Sequence, residues 1–176
     1  MNVNITKNFS VPQAIDVVWA NITDPEKIVP CVPGASLEGM EDADNFKGGV
    51  ELKFGPVKTK FGGHISFLER NADTKTMKMK GVGTDVKGKG GAEMILDSVL
   101  TDNGGGTDVK VTMDVSVQGI LAQFGSRLAS DATNHIFDQF IRNFKDQLDG
   151  KEISSTLSAG SMVGSMVKGL FGGNKA

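Results

Sequence analysis

Two hydrophobic periods divide this chain. Up to residue 118 most apolar positions alternate with polar ones, the pattern of half-buried strands. Val3, Ile5 and Phe9 mark a first strand, and residues 35–40 a second. Phe46, Gly48, Val50, Leu52 and Phe54 share one face of a third, with Lys47, Glu51 and Lys53 on the other. After the Gly55-Pro56 turn, Val57, Phe61, Ile65 and Phe67 point inward again. Met77 and Met79 alternate with Lys78 and Lys80, and Ala92, Met94, Leu96 and Leu100 share the face of a later strand. The clearest alternation runs over 107–118, with Val109, Val111, Met113, Val115 and Val117 between polar neighbours. Short turns between such runs predict antiparallel pairing with one apolar face.

Over 120–148 the period becomes helical. Phe124, Leu128, Ala132, Ile136, Phe137, Phe140, Ile141, Phe144 and Leu148 fall on one side, and Arg127, Asp131, Asp138, Arg142 and Lys145 on the other. This predicts a long amphipathic helix laid across the sheet. Near the N-terminus, Ser10 and Gln13 have the spacing of a capping box, with Pro12 in the first turn. They predict a helix that buries Ala14, Val17, Val18 and Ile22, with Trp19 at its edge. Asp24-Pro25 predicts a second, short helix that Pro30 and Pro33 stop. The order is strand, two helices, about six strands and a long helix. The fold class is therefore α+β, a curved antiparallel sheet of about 6–7 strands wrapped around a C-terminal helix.

Composition narrows the picture. At 176 residues the chain suits one domain with a tail. A net charge of -2 argues against a nucleic-acid surface. One cysteine, Cys31, leaves no internal disulfide and fits a reducing cytoplasm. The N-terminus does not read as a signal peptide, and no apolar run is long enough to span a bilayer. The 23 glycines are about twice the usual share of ~7%.

Candidate chemistry is sparse. His64 and His135 lie on different elements, with no Cys or His at metal-ligand spacing. Residues 87–91 (KGKGG) lack the Lys-Ser or Lys-Thr pair of a P-loop and read as a strand irregularity. The apolar face is more informative. Phe54, Phe61, Ile65, Phe67, Met77, Met79, Met94, Leu96, Val111, Met113 and Val115 fall on inward strand positions, opposite Phe137, Phe140 and Phe144 of the helix. They form either an ordinary core or the wall of a cavity for a flat, greasy ligand. Methionine suits irregular space, and Gly81 and Gly83 leave room beside it. The outer lysines Lys58, Lys60, Lys78 and Lys80 read as solvated surface.

Residues 1–150 are expected to form the ligand-binding domain, 151–160 a linker and 161–176 a tail. Met162, Val163, Met166, Val167, Leu170 and Phe171 recur every four residues there. With three lysines against one glutamate after residue 150, that stripe is either a disordered end or a segment lying in a membrane interface.

The order of elements resembles the helix-grip fold of the START-like, or SRPBCC, superfamily. The strings VPQAIDVVWANITDPEKIVPCVPG, GPVKTKFGGHISFLERN and GILAQFGSRLASDATNHIFDQF look like the carbon monoxide dehydrogenase CoxG family. The resemblance covers residues 1–148. It implies an accessory, non-catalytic protein of the molybdenum-containing carbon monoxide dehydrogenase or a related hydroxylase. It also implies attachment to the inner face of the cytoplasmic membrane and a respiratory quinone, menaquinone or ubiquinone, as a non-covalent ligand. A pure tether or assembly factor, and a START-like enzyme acting on an apolar substrate, are the alternatives.

Overall fold

The most regular alternation belongs to a strand with a partner on each side. β7 (Thr107–Gly119) pairs with β1 (Asn2–Val11) and with β6 (Gly90–Asp102). The sheet continues through β5 (Thr76–Asp85), β4 (Val57–Asn71) and β3 (Asn45–Phe54) to β2 (Ala35–Met40). Its order is β1-β7-β6-β5-β4-β3-β2, and every neighbouring pair is antiparallel. This computed structural model describes residues 1–54 and 57–153, without the side chains of Phe54, Val57, Ile120 and Leu121. The tail positions Met162, Val163, Met166, Val167, Leu170 and Phe171 lie outside the described residues.

Two short helices, α1 (Ile15–Ile22) and α2 (Pro25–Ile28), connect β1 to β2 through a 3₁₀ turn at Val29–Cys31. A long helix, α3 (Ser126–Leu148), crosses the apolar face of the curved sheet. The architecture is the expected α+β helix-grip fold. Phe144 and Phe137 of α3 meet Phe9, Val109, Val111 and Met113 of the sheet in one core.

The helix expected over 120–148 is two elements. Ile120–Phe124 is a 3₁₀ turn, and α3 begins at Ser126. Gly119 (φ 82°) and Gly125 (φ 89°) flank that turn, and such left-handed backbone interrupts an α-helical ladder. Phe124 therefore leaves the helix stripe and is 42% exposed. At the other end Gly150 (φ 73°) closes α3 in a Schellman motif, with Lys151 N–H on the Asp146 carbonyl and Gly150 N–H on that of Gln147.

The N-terminal capping box does not form. Ser10 stays in β1, and its Oγ donates to Asp108 Oδ1 at 2.5 Å, while Gln13 Nε2 donates to Asp149 at 2.8 Å. Cross-strand partners outcompete a local cap here. α1 starts after Ala14 with no side-chain cap and buries Val18 and Ile22, with Ile15 and Trp19 against the core. Val17 and Ala14 turn outward, because the helix starts later than the capping pattern implies. The second start is as expected: Asp24 accepts the Glu26 N–H at 3.0 Å, with Pro25 in the first turn.

Hydrogen bonds from Ser10 and then Asn103 hold the Asp108 carboxyl below its ordinary value of 3.8. A depressed carboxylate contributes stability above its unfolded pKa, and that contribution disappears as pH falls through the folded one. Asp42, held down by the Asp44 N–H and the Asn45 side chain, acts in the same direction. Thermal melts should therefore show a loss of stability from pH 5 to pH 3. Asp108→Asn should make that loss smaller; an unchanged pH dependence would contradict the assignment.

Candidate functional site

A row of small residues runs across the middle of the inner sheet face. Gly48 of β3 pairs with Gly63 of β4, Gly63 with Gly83 of β5, and Gly83 with Ala92 of β6. The next row is Phe46, Ile65, Gly81, Met94 and Val115. Without side chains along the first row, α3 cannot fill the concavity, and a cavity of about 380 Å³ remains.

The glycines in this row differ in cause. A Cβ on Gly63 would sit 2.0 Å from the Val82 carbonyl oxygen, so only glycine allows the strands to approach that closely. A Cβ on Gly83 would meet Phe61 Cβ at 3.6 Å, an ordinary contact. Gly83 is thus open space, and Gly63 is a backbone requirement.

The sheet contributes Phe61, Ile65, Met77, Met79, Met94, Leu96, Val111, Met113 and Val115 to the wall, and α3 contributes Phe137 and Phe140. All of these are positions that the alternation and the helix stripe turn inward. Two others are elsewhere. Phe67 packs against Phe46 (6.1 Å between centroids) under the Arg70 guanidinium at 4.4 Å. A bulge at Leu68 shifts the β4–β5 register there and turns Arg70 over the ring. Phe144 is fully buried against Phe9 and Phe140, in the closed core. The side chain of Phe54 lies outside the described ones.

Several wall residues have no signal in the alternation. Ile22, Ile28, Val29 and Val32 close the cavity from α1, α2 and the 3₁₀ turn. The two prolines that stop α2 also aim this segment at the sheet. α3 holds it in place: Asn143 Nδ2 donates to the Cys31 carbonyl at 2.9 Å, and Gln147 Nε2 to that of Lys27 at 2.9 Å. Burial pushes the Cys31 thiol up to about 11, so it stays protonated and donates to Lys27 O and Gln147 Oε1.

One end of the cavity is deep and the other open. Met77, Val111 and Ile22 are almost fully buried, whereas Val50, Leu52, Ile136 and Phe140 remain half-buried although they face inward. A smaller pocket of about 80 Å³ adjoins the open end. It shares Leu52, Phe61, Ala92, Val115, Thr133 and Ile136 with the main cavity and extends to Phe124 and Leu128.

Polar side chains on the wall are few. Ser36 is exposed, and Thr133 Oγ1 donates to the Ala129 carbonyl at 2.7 Å. His64, at the margin, is more than half exposed, and its Nδ1 lies 3.3 Å from Glu41 Oε1 on the surface. Ser98 is 1% exposed. Among the described residues no group of three His, Cys, Asp or Glu could hold a metal ion.

Outside, Lys58, Lys78 and Lys80 pair with Glu51, Asp97 and Glu93 at 2.7, 3.5 and 3.2 Å. These pairs balance the charge of the outer sheet face. Further basic side chains gather at the end where β3 meets β4 and β5 meets β6, with exposed Lys53, Lys60, Lys87 and Lys89. Val86, 61% exposed, projects from the same end. Among the described residues no helix is long and apolar enough to cross a membrane.

The carbon monoxide dehydrogenase CoxG family matches residues 8–149, which carry every described wall element. The chain belongs to the CoxG family. No curated protein matches it in sequence. Among solved structures, a conserved protein from Geobacillus kaustophilus is similar at 21% identity and a TM-score of 0.76, over 84% of this chain and 96% of that one. The Zhui aromatase/cyclase from Streptomyces sp. R1128 is similar at 9% identity and 0.62, over 85% and 94%. Truncated norcoclaurine synthase from Thalictrum flavum gives 14% and 0.58, over 84% and 94%. At these identities the likeness concerns the fold alone.

Proposed function

We propose that this chain is a non-catalytic accessory protein of a molybdenum-containing carbon monoxide dehydrogenase, which binds a respiratory quinone and links the enzyme to the inner face of the cell membrane. The observation that carries this reading is an apolar, half-open cavity in a chain of the CoxG family. At about 380 Å³ the cavity lies in the lower part of the ~300–1,000 Å³ range of small-molecule sites. It suits a quinone ring, with the isoprenoid chain leaving by the open end. The quinone supplies the redox chemistry, and the protein supplies binding and orientation.

The basic end supports a membrane-facing orientation. Lys53, Lys60, Lys87 and Lys89 with Val86 and Phe124 offer charge and apolar tips to an anionic surface. The 161–176 stripe would add a second, reversible contact. The START-like fold also serves enzymes, as the norcoclaurine synthase and cyclase neighbours illustrate. Proton transfer needs partners within hydrogen-bond reach of a substrate. The His64–Glu41 pair stands on the outer surface instead.

The test is reconstitution of the dehydrogenase with quinone-containing anionic vesicles. Carbon monoxide-dependent quinone reduction should require the full-length chain and fall when residues 159–176 are removed. Equal reduction without the chain would contradict the proposal. Vesicle attachment that survives cavity-filling substitutions together with full electron transfer would favour the pure tether.

A further inference from the structure

The deep end of the cavity holds one polar atom that the fold leaves unused. Ser98 is on β6, paired with Met77 of β5 and Val111 of β7, so its side chain shares their inward face. Ser98 lines the cavity, is 1% exposed, and its Oγ has no hydrogen-bond partner. The residues around it on that face, Met77, Leu96, Val111 and Met113, offer no oxygen or nitrogen from their side chains. A buried hydroxyl without a partner is destabilising, and an alanine would fill this strand position without that cost. Other buried hydroxyls here are satisfied: Thr107 Oγ1 donates to the Gln13 carbonyl at 2.9 Å, and Thr59 Oγ1 to Asp85 at 3.1 Å.

We infer that Ser98 is the polar anchor of the cavity, and that the ligand is a flat apolar ring carrying an oxygen that reaches the deep end. The inference rests on the ligand-binding reading above and names the group that orients the ligand. A hydroxyl both donates and accepts. Ser98 can donate to a ring carbonyl, and it can accept from the ring hydroxyl that replaces that carbonyl on reduction. One side chain thereby holds both redox states in the same orientation, with the ring oxygen buried and the opposite edge towards the open end. The apolar wall sets the general affinity, and Ser98 sets the discrimination between an oxygen-bearing ring and a plain hydrocarbon.

The test uses the full-length chain and two probes of similar shape, 2-methyl-1,4-naphthoquinone and 2-methylnaphthalene, with affinities measured by equilibrium dialysis. Ser98→Ala should weaken the naphthoquinone about five- to tenfold, the effect of one buried neutral hydrogen bond, and leave the hydrocarbon unchanged. Ser98→Thr, which keeps the hydroxyl, should restore most of the loss. The ligand-free Ser98→Ala protein should melt no lower than the parent, which separates an anchoring role from a structural one. Naphthoquinone affinity unchanged in Ser98→Ala, or an equal loss for both probes, would overturn the role of Ser98 and leave the cavity reading standing. Failure of the parent protein to bind either probe would overturn both.

Discussion

Phe144→Ala should cost about 3–5 kcal/mol of folding stability, the range for emptying a fully buried aromatic site. Phe144 has no solvent exposure. Its ring meets Phe9 of β1 edge-on at 6.3 Å and stacks on Phe140 at 5.7 Å. It therefore joins the first strand to the last helix, across most of the chain length. Domains of this size have about 5–15 kcal/mol in total, so the loss is a large fraction of the whole. Urea unfolding should show a marked fall in midpoint. Phe124→Ala is the matched control. Phe124 lies on the 3₁₀ turn and is 42% exposed, so its removal should change stability by less than about 0.5 kcal/mol. Similar losses for the two would contradict the break at Gly125.

The second large effect contrasts two glycines of one cross-strand pair. Gly83→Leu should fold and fail to bind. Its Cβ has ordinary clearance, and the remaining atoms enter the cavity from the middle of the sheet. Gly63→Ala should not fold stably, since its Cβ would lie 2.0 Å from the Val82 carbonyl oxygen and 2.7 Å from Gly83 Cα. Backbone atoms on neighbouring strands cannot move aside as a flexible side chain can. Circular dichroism and binding of 2-methyl-1,4-naphthoquinone separate the two outcomes. A Gly83→Leu protein that binds as the parent does would mean that the glycine row does not define the binding space.

The strands and the helix stripe are legible because alternation and helical spacing report which side of an element is buried. The inward methionines of β5, β6 and β7 follow directly from it. What alternation does not report is distance along the sheet. Phe61 and Phe67 share a face of β4, yet only Phe61 reaches the cavity, because a bulge at Leu68 re-aims the strand beyond it. Phe137, Phe140 and Phe144 share a helix stripe, but Phe144 is a turn closer to β1 and closes the core. Local caps are legible only where no tertiary partner competes. Asp24 caps α2, whereas Ser10 is drawn across to Asp108 of β7. The 28–32 segment of the wall is hidden because its proline pattern says where a helix stops and not what the stopped chain then faces. Ser98 is unreadable for a related reason: serine on an inward position becomes notable only once its neighbours are known to offer it nothing.

The central claim is that the space between sheet and helix is built to be occupied by a quinone. Solvent extraction and mass spectrometry of the full-length protein, purified in parallel with its Gly83→Leu variant, test it most directly. A quinone should copurify with the parent near one equivalent, and little should accompany the variant. No bound quinone in the parent across preparations, or equal amounts in both proteins, would contradict it.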